Sequence, residues 1–206
     1  MLKRTLILIS QILIFAFWPV SFFLVNRPTH FQIFNNSLKS GTVFQVSPLD
    51  YDSLVKKVGL FPNRNLARLE QNKLTPIISK YNLNFFSLLD PNNYFFGFHP
   101  RENVIPNQNL IKFPPLSVLF LLIGLYYWQK LNHHKLIFYA IIFFVLILSF
   151  LKIFDGFDLV LYFPLALILV HGLLHFSSKK SLLVTPSLLI FCLISLIDLL
   201  RIILIL

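Results

Sequence analysis

Thr5-Leu-Ile-Leu-Ile-Ser-Gln-Ile-Leu-Ile-Phe-Ala-Phe-Trp-Pro-Val-Ser-Phe-Phe-Leu-Val25 runs without a single charge and follows Lys3 and Arg4 directly. A helix that crosses the hydrocarbon core of a bilayer needs about 20 mostly apolar residues. This stretch supplies them. A cleaved signal peptide is the rival reading. Its apolar core runs only about 7–15 residues and ends in a small-x-small site. Here Phe22, Phe23 and Leu24 occupy that place, so an uncleaved anchor over 1–25 is expected.

The same composition recurs near the other end of the chain. Residues 113–129, 136–151, 159–176 and 182–206 are apolar all round, unlike a surface amphipathic helix. Pro114 and Pro115 open the first of these, where proline suits a first helical turn. The fold class expected is therefore an all-α membrane protein with about five transmembrane helices. Its residues 26–112 would form a small, mainly helical extracytoplasmic domain that includes a short β-hairpin, and 113–206 would form a four-helix transmembrane region.

Bulk composition agrees. Of 206 residues 56% are hydrophobic and 13% charged, against about 25% charged in an ordinary soluble domain. The net charge of +10 does not point to nucleic acid, because the basic residues form no single patch. They flank the apolar runs instead. Lys3 and Arg4 precede the first, Lys130 and Lys135 lie between the second and third, and Lys179 and Lys180 lie between the fourth and fifth. The positive-inside rule then places the N-terminus and all three basic sites in the cytoplasm. Asp50, Asp52, Glu70, Asp90, Glu102, Asp155, Asp158 and Asp198 all fall on the outer side. A multi-pass protein of the cell membrane is expected, with 26–112 extracytoplasmic. Cys192 is the only cysteine, so no intrachain disulfide can form. The chain stops at Ile203-Leu204-Ile205-Leu206 without a polar tail. The last helix is thus expected to finish in the interface, or the chain to continue further.

Within 26–112, Phe31–Phe34 and Thr42–Val46 alternate partly around Asn35–Gly41, the pattern of a hairpin. Ser47-Pro48-Leu49-Asp50 reads as an N-cap with proline at the first helical position, and Gly59 as the stop. Asn63 would cap a helix over 64–73. Thr75-Pro76 opens a third helix, to Leu89, in which Ile77, Ile78, Tyr81, Phe85, Leu88 and Leu89 share a face. That face either packs inside a small domain or lies on the outer leaflet. With fewer than about 90 residues, the segment needs support from the membrane or a partner.

Candidate chemistry gathers in two places. Asp90-Pro-Asn-Asn-Tyr-Phe-Phe-Gly-Phe-His-Pro-Arg-Glu102 begins with a turn signal at Asp90–Asn93. It then presents Tyr94, Phe95, Phe96 and Phe98, which would suit an aromatic belt at the headgroups. His99, Arg101 and Glu102 add an imidazole, a fixed cation and a carboxylate, a set that could hold phosphate and move a proton. The plainer reading is a juxtamembrane turn with a local ion pair. The second place is Asp155 and Asp158 in the loop after residue 151, with Asp198 and Arg201 one turn apart in the last apolar run. Ionisable residues inside a span are expensive and mark function unless they neutralise each other. His99, Arg101, Glu102, Asp155 and Asp158 are thus the catalytic candidates. Arg101, Asp198 and Arg201 are the substrate-binding candidates. His171 and His175, at i and i+4, could face one metal ion, but no HExxH glutamate lies between them. No cofactor is expected.

Asn65-Leu-Ala-Arg-Leu69 followed by Asn92-Asn-Tyr-Phe-Phe-Gly-Phe-His-Pro-Arg-Glu102 resembles uncharacterised bacterial polytopic membrane proteins with a similar external juxtamembrane motif. The resemblance covers about a fifth of the chain and implies no activity. The first functional expectation is a cell-envelope anchoring component that contacts the lipid bilayer and a membrane or envelope protein partner. A membrane enzyme acting at the outer leaflet on a lipid-linked or phosphorylated envelope substrate is the alternative. A transporter subunit is third, since Pro164 and Pro186 interrupt two apolar runs.

Overall fold

The computed structural model describes residues 2–20, 35–36, 38–45, 48–59, 65, 72, 74–96, 112–128, 135–152, 157, 159–179 and 181–204. Among these lie the helices α1 Leu2–Val20, α2 Pro48–Gly59, α3 Thr75–Leu89, α4 Asn92–Phe95, α5 Ser117–Trp128, α6 Lys135–Ser149, α7 Leu159–Ser178 and α8 Val184–Leu204. The architecture is all-α, and no strand occurs among the described residues.

Two helices, over Val160–Ser178 and Val184–Arg201, are long and apolar enough to cross a membrane. α5 and α6 are as apolar but shorter, at 12 and 15 residues. The described residues thus support two such helices where five are expected. Large apolar side chains point outward all along α6, among them Phe138, Tyr139, Phe143 and Ile147. An outward apolar surface of this extent needs a non-aqueous neighbour.

α7 is the central strut. α5 lies along it, and the two run parallel: Phe113 stacks on Tyr162 at one end and Tyr127 on His175 at the other. Gly124 and Gly172 set their separation. A Cβ at Gly172 would collide with the carbonyl of Phe120 and come within 2.7 Å of the Gly124 nitrogen, and one at Gly124 would collide with the carbonyl of Ile168. Backbones this close are the mark of small-residue crossings between membrane helices. α1 packs on α8 and α7. The Ser10 hydroxyl donates to the Leu6 carbonyl at 2.8 Å and meets Cys192 Sγ of α8 at 3.1 Å. The Lys3 ammonium donates to the carbonyl of Lys179, just past α7, at 3.2 Å. α1 therefore runs against α7, and two of the basic sites share one end of the bundle. A 20-residue helix is about 30 Å long, and that length separates this end from the one where α3 and α4 sit.

No strand of the expected hairpin occurs among the described residues. Asn35, Asn36 and Leu38–Ser40 are helical, and Thr42 makes an isolated antiparallel bridge with Leu151. The reason lies in Gly41, whose φ of 80° turns the chain onto the end of α6. Lys152 N donates to Gly41 O at 3.0 Å and Val43 N to Phe150 O at 2.9 Å, so those backbone groups are already taken. Phe31–Phe34 lie outside the described residues. So does the helix expected over 64–73, except for Asn65 and Asn72.

α2 and α3 occupy the expected ranges. The cap of α3 differs. Thr75 was expected to hold the helix start, but the Asn72 side chain does so, accepting from Leu74 N at 2.9 Å and Thr75 N at 3.1 Å. Asn72 offers the same kind of acceptor three residues earlier.

Candidate functional site

Among the described residues, 26–112 meets the helix bundle in a seam at the end remote from Lys3. Asn84, in the middle of α3, is buried. Its amide donates to the carbonyls of Leu151 at 2.7 Å and Ser149 at 3.2 Å, the open C-terminus of α6. A helix leaves its last carbonyls without partners, and this side chain supplies them. Phe150 lies between the rings of Phe44 and Tyr81, at 5.7 and 4.7 Å.

The second half of the seam grows from the turn signal at Asp90. Its carboxylate accepts from Asn92 N at 2.9 Å and starts the single turn of α4. That turn delivers Tyr94 and Phe95 into the bundle. Tyr94 is 4% exposed and Phe95 2%, while Phe96 stays 42% exposed. The belt expected from these rings is thus corrected for two of them: they are core residues and Phe96 faces out. Phe98 lies outside the described residues. Tyr94 packs edge-on against Tyr162 at 5.4 Å, and Phe95 lies 5.7 Å from Phe113. The Tyr94 hydroxyl donates to Leu88 O at 2.7 Å, and Phe113 N donates to Tyr94 O at 2.7 Å. Lys112 Nζ donates to the carbonyls of Asn92 and Asn93, both at 3.3 Å. The Asn84 amide, the Lys112 ammonium and the Phe113 N–H each fasten one segment to another.

The face expected on α3 is partly redistributed. Ile77, Tyr81, Asn84, Phe85 and Leu88 turn inward, whereas Ile78 and Leu89 are exposed with Leu83 and Phe86. Asn84 captures the inward direction because its hydrogen bonds reach only from there.

His99, Arg101, Glu102, Asp155 and Asp158 lie outside the described residues. Asp198 and Arg201 lie in the last turns of α8, one turn apart, with Arg201 exposed and its charge acting on the Asp198 carboxyl. α8 packs chiefly on α1 rather than on the helices that carry the seam. His171 and His175 do share one face of α7. Their rings meet the aromatic pair that ends α5: His175 lies 3.4 Å from Tyr127 by ring centroid, and His171 lies edge-on to Trp128 at 5.7 Å. Among the described residues no group of three or more His, Cys, Asp or Glu is placed to hold a metal ion.

Asn84, Tyr162, Gly124 and Gly172 escape a reading by motif. The chain has only six glycines, and two of them sit inside apolar helices, where glycine is otherwise costly. That was the available signal. No protein-family model, curated protein or solved structure matches the chain.

Proposed function

We propose that this protein is a five-span component of a bacterial cell membrane, with a cytoplasmic N-terminus and an extracytoplasmic segment 26–112 clamped onto the outer helix ends. Its task is structural: it anchors that segment and offers it to an envelope protein or polymer. The observation that supports this reading is the segregation of contacts. Lys3 and Lys179 meet at one end of α7, while Gly41–Val43, Asn84 and Tyr94 bind the backbone and rings at the other. Lys3 and Lys179, which belong to short basic sites flanking apolar runs, fit a cytoplasmic face, whereas Lys112 and Lys152 lie at the seam end.

The seam contacts that fasten the segment are amide, hydroxyl and ring contacts to the helix ends. The exposed row of Ile78, Leu83, Phe86 and Leu89 on α3 then faces away from the bundle, toward the headgroups or a partner.

Single cysteines in a Cys192→Ala background, labelled with a membrane-impermeant maleimide on intact cells, test the arrangement. Cysteine at exposed Phe44 or Lys56 should label from outside, and cysteine at Lys135 only after permeabilisation. External labelling at Lys135 would reverse the orientation. Affinity purification after crosslinking of whole cells tests the anchoring role, which fails if no envelope protein or polymer accompanies the chain.

A further inference from the structure

Several polar side chains in the long apolar helices bond within their own chain, while the buried Ser195 hydroxyl does not. The hydroxyls of Ser149, Ser177 and Ser187 donate back to carbonyls one turn earlier, and Ser10 is held by Leu6 and Cys192. Gln11 differs. It stands midway along α1, half-buried, and makes no hydrogen bond to another described residue. Its amide is too long to fold back onto the helix as serine does. It lines an open groove of about 490 Å³ with Ile12, Phe15, Ala16 and Val170. Leu8, Ile12 and Phe15 continue the same face and are exposed by 57%, 55% and 40%. They lie at i, i+4 and i+7, opposite the inward Leu6, Ser10, Leu13 and Ile14.

We infer that two copies of this chain pair in the membrane through this face of α1, with Gln11 of each hydrogen-bonded to Gln11 of the other. The inference rests on the membrane placement proposed above. At mid-bilayer depth no water can serve an amide, so its donor and acceptor must find a protein partner. A lipid tail fills a groove but offers neither. A primary amide carries both, so across a two-fold axis two glutamines complete each other with a reciprocal pair of N–H···O bonds. A two-fold interface requires one patch complementary to itself. This one qualifies: the groove at Ala16 is the hollow, Phe15 beside it the projection, and Gln11 the self-matching polar group. A single polar residue within an apolar helical seam is also the usual device for fixing register and copy number.

The test uses the full chain, labelled with donor or acceptor dye and reconstituted in phosphatidylethanolamine–phosphatidylglycerol vesicles over a range of protein-to-lipid ratios. The wild type should show energy transfer that saturates at a two-chain stoichiometry. Gln11→Leu should weaken pairing about tenfold, equivalent to 1.4 kcal/mol, and Gln11→Asn should restore most of it. In a Cys192→Ala background, Ile12→Cys should form an intermolecular disulfide on oxidation, and Leu13→Cys, on the inward face, should not. Resistance of each sample to carbonate extraction is read in parallel. Chains that resist extraction yet show no transfer, or transfer unmoved by Gln11→Leu, overturn the pairing while the membrane placement stands. Extraction of the wild type by carbonate overturns both. A crosslink from Ile12→Cys to a different protein in native membranes, with none to itself, overturns the assignment of a second copy.

Discussion

α5 and α6 both border α7, and they meet it in opposite ways. On the α5 side Gly124 and Gly172 let backbone touch backbone, and no side-chain atom could be added at the crossing. On the α6 side a groove of about 430 Å³ remains, lined by Leu136, Ala140, Phe144, Val160, Phe163 and Pro164. Apart from His171 and His175 at one end of the α5 side, both interfaces are lined by apolar residues, so apolarity does not decide how closely helices approach. In lipid, association depends on packing and hydrogen bonds rather than on escape from water. The smallest residues at the crossing set the distance. α6 is held less by its length than by its end, where Asn84 and the Gly41–Val43 backbone grip residues 149–152.

The comparison can be broken most severely at Gly172. Gly172→Leu should separate α5 from α7 and lower stability by about 3 kcal/mol or more, read as the shift in a denaturant titration in detergent micelles. A wild-type midpoint would show that the crossing is not tight. Asn84→Leu attacks the other interface. It strips two buried carbonyls of their donor and should cost about 1–3 kcal/mol. Hydrogen exchange should then rise in 149–152 and stay unchanged in 120–128; equal rises in both would deny that α6 is held by its end. The α1–α8 contact is a third kind, polar rather than glycine-lined. Ser10→Ala should destabilise by only about 0.6 kcal/mol, the average for hydrogen bonds between membrane helices, and a loss as large as that of Gly172→Leu would make this contact the dominant one. The smallest effect is expected in the groove. Ala140→Leu adds volume where space exists and should move stability by less than about 1 kcal/mol, in the stabilising direction. A marked loss would mean that α6 and α7 close up in the bilayer.

The helices were readable from sequence wherever a local rule governs them. Pro48 and Gly59 bound α2, Pro76 and Leu89 bound α3, and the long apolar runs became α7 and α8. What escaped depends on partners distant in sequence. Thr42–Gln45 alternates like a strand, yet Val43 N bonds Phe150 O and Gln45 N turns back to Thr42 O. Tyr94 and Phe95 look like interface aromatics, but the one-turn helix started by Asp90 drives them into contact with Phe113 and Tyr162. Periodicity on α3 named the right residues but not which of two apolar faces points inward, because the deciding side chain, Asn84, is polar. The charged candidate set shares no local rule that ties its members together. Of its members, only Asp198 and Arg201 have a described place, in α8 away from the seam helices.

The contact between Ser10 and Cys192 spans 182 residues of chain. Synthesis adds about 5–20 residues per second, so α1 waits about 10–40 s after its own emergence before α8 exists to receive it. The packing of α1 is thus completed by a helix made much later. Until then the Ser10 hydroxyl has the Leu6 carbonyl of its own helix but not Cys192. Truncations that end before Val184 should leave α1 with its α7 contact alone.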